Sequence, residues 1–173
     1  VGGAASGKSE YAEQLILRAG ALPRYYVATM EPCGAEARAR IARHRVLRAQ
    51  KRFETIECPV GLSRVLLPAR GAALLECLSN LAANELYSPA GAGGEQAALA
   101  AVVDGVESLR RQCEALVVVT GEVFSGGSAY AGDTGTYLRV LAAANRALAA
   151  RADAVCEVAC GLPRYYKGEG AAL

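Results

Sequence analysis

Gly2-Gly3-Ala4-Ala5-Ser6-Gly7-Lys8-Ser9 matches the pattern G-x4-G-K-S in full. The glycines let the backbone turn so that its N–H groups converge on phosphate oxygens. A helix starting near Lys8 adds the positive end of its dipole. Lys8 then reaches the β- and γ-phosphates of a nucleotide, and the Ser9 hydroxyl holds Mg²⁺. In a chain with 19 glycines such a pattern can arise by chance. Here it opens an amphipathic helix: Tyr11 with Leu15 and Ala12 with Ile16 form a stripe at i, i+4.

From that loop outward, apolar β-rich runs alternate with helical patterns. Tyr25–Thr29, Ala72–Leu78, Ala115–Thr120 and Ala154–Cys160 read as strands buried on both faces, and Thr55–Glu57 as a further short one. Helices are predicted at about Lys8–Ala19, Ala35–Arg48, Glu95–Cys113 and Thr136–Ala152. This order predicts an α/β fold with a mostly parallel sheet covered by helices. Ser88–Gly94 and Ser125–Gly135, rich in Gly, Ala and Ser, read as loops, the second long enough to serve as a lid. A phosphate loop follows a strand, yet only Val1 precedes Gly2, so the natural chain is expected to start a few residues earlier.

At 173 residues and 53% hydrophobic, the chain is expected to form one domain over residues 1–173 with a real core. A disordered tail protein is excluded. No apolar run approaches ~18 residues, so no membrane span is expected. No signal-peptide pattern is visible, and a cytoplasmic location is expected. The net charge of +2 is too small to imply a nucleic-acid partner. Yet seven of the 19 basic residues fall together: Arg38, Arg40, Arg43, Arg45, Arg48, Lys51 and Arg52. That patch reads either as a solvated helix face or as a site for a multiply charged anion. The six cysteines are Cys33, Cys58, Cys77, Cys113, Cys156 and Cys160. No two form C-x-x-C, and a chain this large and apolar is no disulfide scaffold. Cys77 and Cys156 lie in apolar runs and read as small core residues. With one histidine, a structural zinc site is not expected.

Two further residues draw attention. Ala72-Ala73-Leu74-Leu75-Glu76-Cys77 places Glu76 after an apolar strand. A carboxylate at the carboxyl edge of a parallel sheet lies beside the phosphate crevice. A strand-end acid without a role fits the same position. His44 is the chain's sole histidine, in a helical pattern with Glu36 and Arg40 on its face and Arg43 beside it. Like charge disfavours the imidazolium, and a neutral ring is the form that acts as a nucleophile. From spacing alone a surface histidine with no function is the commoner case and the favoured reading.

The order of motifs adds to this. G-G-A-A-S-G-K-S is followed by Ala28-Thr29, then E-x3-R-I-x2-H from Glu36 to His44, F-x-T-x-E from Phe53 to Glu57, and L-L-E-C from Leu74 to Cys77. This series resembles the bifunctional adenosylcobinamide kinase / adenosylcobinamide-phosphate guanylyltransferase family of cobalamin biosynthesis. It covers essentially the whole chain, and Asn84, Glu122 and Asn145 also fall where that family places these residue types. The resemblance implies an α/β P-loop NTPase (RecA-like) fold and two reactions. ATP or GTP phosphorylates the aminopropanol hydroxyl of adenosylcobinamide; GMP from GTP is then transferred to that phosphate through a GMP–histidine intermediate. The matching nucleophile is His44, with Lys8 and Glu76 also catalytic and Ser9 and Glu76 toward Mg²⁺. The nucleotide site expected on this basis comprises Gly2, Gly3, Ala4, Ala5, Ser6, Gly7, Lys8, Ser9, Ala28, Thr29, Met30, Arg45, Arg48, Glu57 and Glu76. The implied partners are a corrinoid, purine nucleotides and other copies of the chain in a trimer.

The chain departs from the family in places. The family often carries two adjacent histidines, and the first is Arg43 here. Its N-E-V-G-x-G-I-V-P is replaced by G-E-V-F-S-G-G-S-A from Gly121, and its R-D-x2-G-R by Leu138, Arg139, Ala142 and Ala143. These changes touch substrate recognition and leave the phosphate loop and His44 intact. Two rival readings are another small-molecule kinase without a covalent step, and a RecA-like nucleotide-gated protein that binds nucleic acid through the Arg38–Arg52 patch.

Overall fold

The structure, a computed structural model, describes residues 1–20, 23–31, 42, 50–124 and 132–168. The predicted helix Ala35–Arg48 except Ala42, and the whole arginine patch except Lys51 and Arg52, lie outside the described residues, as does most of the predicted lid.

Helix α1 spans Lys8–Ala19 between two left-handed glycines, Gly7 and Gly20. Its buried stripe is Ala12 and Ile16, as the i, i+4 spacing predicts. Four strands follow: β1 (Arg24–Ala28), β2 (Phe53–Glu57), β3 (Gly71–Leu75) and β4 (Cys113–Val118). They form one sheet in the order β2-β1-β3-β4, and every pair is parallel. Helices α2 (Leu78–Tyr87), α3 (Glu95–Gln112) and α4 (Gly132–Arg151) complete the main layer.

Alternation along the inner strands assigns the two faces. Tyr25, Val27, Ala73 and Leu75 join one apolar cluster with Leu81, Val102, Leu109 and Leu141 of α2, α3 and α4. Tyr26, Ala28, Ala72 and Leu74 join a second with Ala12 and Ile16 of α1 and with Phe53. Helices on both faces explain why β3 is buried at all five positions and reads as a continuous apolar run. Each fully buried Leu, Ile or Val contributes about 1.5–3 kcal/mol of transfer free energy.

The C-terminal strands differ from the expectation. β5 (Val155–Ala159) pairs antiparallel with β6 (Leu162–Lys167), which sequence reading missed. Only Val158 of β5 is buried, so this run is half-covered rather than enclosed. Cys160 and Gly161 form a two-residue turn with φ of 52° and 78°, the pair of positive values a tight hairpin needs. β4 also is less enclosed than predicted, with only Cys113 fully buried.

Val1 and Gly2 lie between the two sheets. The Val1 nitrogen donates to the Cys156 carbonyl (2.9 Å), and the Val158 N–H donates to the Val1 carbonyl (2.8 Å). On the other side Gly2 bridges Gly121 in parallel, and the Glu122 N–H donates to the Gly2 carbonyl at 3.0 Å. Other boundaries shift as well. Gly132–Gly135, predicted as loop, belong to α4. Cys77 is no core residue: it caps α2, its sulfur accepting the Asn80 N–H at 3.4 Å. Cys156 is only half-buried; among the described residues the buried thiols are Cys58 and Cys113.

Candidate nucleotide-binding site

The parallel strands place their carboxyl ends along one edge, with Ala28 beside Glu57, Val27 beside Leu75, and Leu75 beside Val118. Because Gly2 pairs in parallel just past β4, the loop Gly2–Ser9 leaves from that same edge. Thr29 and Met30 follow β1 there, Cys58 follows β2, Glu76 and Cys77 follow β3, and Thr120 to Glu122 follow β4. Ligands of open α/β sheets bind in this position, outside the carboxyl ends of the strands.

The loop is shaped for backbone approach. Gly7 has φ 88° and caps α1 with no side-chain hydrogen bond. The first intrahelical bond is from the Tyr11 N–H to the Gly7 carbonyl (3.0 Å). Lys8, Ser9 and Glu10 therefore open the helix with N–H groups that have no intrahelical acceptor. A Cβ on Gly2 would lie 2.6 Å from both the Ser6 Oγ and the Val158 carbonyl, so only glycine fits that crossing. The Lys8 ammonium curls over the loop and donates to the Gly3 carbonyl at 2.9 Å. Loop amides, a helix N-terminus and an ammonium thus converge on one small volume, a combination suited to phosphate groups.

Glu76 directly follows β3, its N–H donating to the Val27 carbonyl (3.0 Å). Behind it a polar network ties the strand ends together. The Thr29 hydroxyl, fully buried, donates to the Cys77 carbonyl at 3.0 Å. The Asn84 amide donates to the Thr29 carbonyl (2.8 Å) and the Pro59 carbonyl (3.0 Å). Glu85, almost wholly buried, accepts the Gly61 N–H (2.6 Å) and the Ala92 N–H (3.0 Å). Ser79, which sequence reading missed, accepts the Gly121 N–H at 2.9 Å and so ties α2 to the exit of β4. Thr120 and Asn145 meet at 2.9 Å. Burial, and then the Glu76 charge, push the Cys77 thiol up.

Of the sequence-predicted site residues, Gly2 to Ser9, Ala28, Thr29, Met30, Glu57 and Glu76 all fall at the carboxyl edge. His44, Arg45 and Arg48 lie outside the described residues.

A glycine loop that opens a helix at the carboxyl edge of a parallel sheet, with a carboxylate two strands away, defines a P-loop NTPase-like α/β protein. The sequence profile described as cobinamide kinase / cobinamide phosphate guanyltransferase matches residues 1–165. The chain belongs to that family, and is thus an enzyme of the cobinamide kinase and guanylyltransferase type. It is similar to the bifunctional adenosylcobalamin biosynthesis protein CobP of Pseudomonas aeruginosa: 31% identical over 174 residues, covering 98% of this chain and 96% of the relative. It is also similar to the bifunctional adenosylcobalamin biosynthesis protein CobU of Salmonella typhimurium: 32% identical over 174 residues, covering 93% and 94%.

Proposed function

We propose that this chain phosphorylates the aminopropanol hydroxyl of adenosylcobinamide with ATP or GTP, and then transfers GMP from GTP to the new phosphate. One domain serves both reactions. The observation that carries this reading is the Gly2–Ser9 loop on the same sheet edge as Glu76, in a chain of this family. In the kinase step the loop amides and Lys8 hold the β- and γ-phosphates while the acceptor hydroxyl attacks the γ-phosphorus; the bond to the β-phosphate oxygen breaks, and the nucleoside diphosphate and the hydroxyl proton leave.

In the transfer step a neutral His44 ring nitrogen attacks the α-phosphorus of GTP. A P–N bond forms, the bond to the β-phosphate oxygen breaks, and pyrophosphate leaves. A phosphate oxygen of adenosylcobinamide phosphate then displaces the ring, giving adenosylcobinamide-GDP. Arg45 and Arg48 neighbour His44 in sequence and supply charge for the triphosphate.

Mg²⁺ fits the donors present. Ser9 and Glu76 offer hard oxygens, and among the described residues no group of three or more His, Cys, Asp or Glu could cage a metal. Mg²⁺ takes one or two protein oxygens and completes its shell with phosphates and water. When bound it would neutralise developing phosphate charge, and Ser9 and Glu76 are the residues that would hold it.

The test is incubation with GTP labelled at the α-phosphorus, followed by denaturing electrophoresis. Acid-labile label on the wild-type chain is expected, and its absence would refute the covalent step. By the same resemblance we propose a cytoplasmic homotrimer. Light scattering coupled to size exclusion checks the assembly, and a monomer at working concentration would refute it. No helix among the described residues is long and apolar enough to cross a membrane.

A further inference from the structure

We propose that the β5–β6 hairpin is a brace that positions the phosphate loop on a nucleoside triphosphate, with Tyr165 as its positioning residue. This rests on the reading of Gly2–Ser9 as the triphosphate site.

The hairpin meets the loop at its start, its middle and its helix. At the start, Val158 donates its N–H to the Val1 carbonyl at 2.8 Å, and its own carbonyl sits 2.6 Å from where a Gly2 Cβ would be. In the middle, the Gly161 N–H donates to the Ser6 carbonyl at 2.8 Å. Gly161 also packs face to face with Gly7, its Cα 3.0 Å from the place of a Gly7 Cβ. On the helix, the hydroxyls of Tyr11 and Tyr165 meet at 2.6 Å.

The loop needs such support. Ala5 has φ 55° and Gly7 has φ 88°, and an L-residue in the left-handed region persists only where its surroundings hold it. Misplacing a set of converging donors by about 1 Å can cost on the order of a hundredfold in rate.

At its far end the hairpin meets α4, where the Lys167 ammonium donates to the Ala149 (3.2 Å) and Ala150 (2.9 Å) carbonyls. Leu162, Pro163, Arg164, Tyr166 and Lys167 are exposed; in β6 only Tyr165 is half-buried. Val158, the turn at Gly161 and Tyr165 thus face the phosphate loop and the first turn of α1.

Tyr165→Phe and Tyr11→Phe remove one hydroxyl each and keep the rings. Calorimetric titration with ATP should show about fivefold weaker binding for either, the scale of one lost hydrogen bond. KM for ATP should rise by a similar factor with a smaller change in kcat. The double variant should be no worse than either single one, because both break the same contact. Gly161→Val should bind ATP more than tenfold more weakly, whereas Gly161→Asn, which tolerates the left-handed region, should restore near-wild-type binding.

Lys8→Ala is measured alongside. If it loses ATP binding while Tyr165→Phe and Gly161→Val bind like wild type and merely melt earlier, the brace is refuted and the phosphate site stands. If Lys8→Ala also binds like wild type, the phosphate site itself is wrong and the brace falls with it. Should Gly161→Val fail to fold, the Tyr165→Phe affinity decides.

Discussion

Lys8 already lies across its own loop, bound to the Gly3 carbonyl. Exchanging that carbonyl for phosphate oxygens needs a side-chain swing and no backbone change. Lys8→Ala should therefore fold normally and lose about 3–4 kcal/mol of transition-state stabilisation in the kinase step, a few-hundredfold in rate. Steady-state phosphorylation of adenosylcobinamide beside a melting curve checks this. Glu76→Gln keeps shape and removes charge; a large loss of rate with altered Mg²⁺ dependence is expected if the carboxylate faces the metal. His44→Ala should abolish covalent GMP labelling and guanylyl transfer while phosphorylation stays measurable. Label that persists in that variant would have to sit on another residue type. That Gly2–Ser9 forms a glycine loop opening a helix was legible because the pattern is contiguous and the turn is carried by the backbone. Ser79 was not, since one serine in an apolar run has no signature until the exit of β4 is brought against it.

At the scale of elements, the α2 region is informative. Leu78, Leu81, Ala82, Glu85 and Leu86 follow the helical spacing, yet sequence reading extended the preceding strand through Leu78 and passed over the helix. The start signal was concealed because a cysteine stands where Ser, Thr, Asp or Asn is usual. β6 was missed for a different reason. Its Leu-Pro-Arg-Tyr-Tyr-Lys run is mostly exposed and holds a proline, which only an edge strand tolerates. Helix α2 also carries Asn84, whose amide holds the chain where it leaves β1 and again where it leaves β2. Asn84→Ala would leave two carbonyls without their donor, at a cost of about 1–3 kcal/mol. Asn84→Asp should be worse, because an acceptor would face two acceptors. Urea unfolding of both variants measures the difference.

Across the whole molecule, the sheet with helices on both faces followed from alternating apolar strands and amphipathic helices, with no need of long-range information. The side of the sheet each helix takes, and the antiparallel end, did not, because they depend on contacts between distant segments. The packed interior has a pH signature. Burial raises the Cys58 thiol from 9.0 to about 11, with the Glu85 charge adding to the shift. Burial likewise raises Cys113 to about 11. Below pH 9 these thiols are protonated whether the chain is folded or not. Between pH 9 and 11 the unfolded chain releases protons that the folded chain keeps, so stability falls as pH rises through this window. Thermal midpoints at pH 8, 9, 10 and 11 should decline in order, and replacing both cysteines by alanine should flatten that decline even as it lowers the midpoint at pH 8.

Val1 and Cys156 are 155 positions apart, yet they share a hydrogen bond. Contacts of such sequence separation form late, since the intervening chain must first be drawn in. A ribosome-bound chain can assemble β1 to β4 and their helices while the segment ahead of the glycine loop still lacks its neighbour on the β5 side. The β5 side of the loop's support then arrives only with β5 and β6, and a nascent chain stalled short of them is expected to hold a nucleotide more weakly than the finished one.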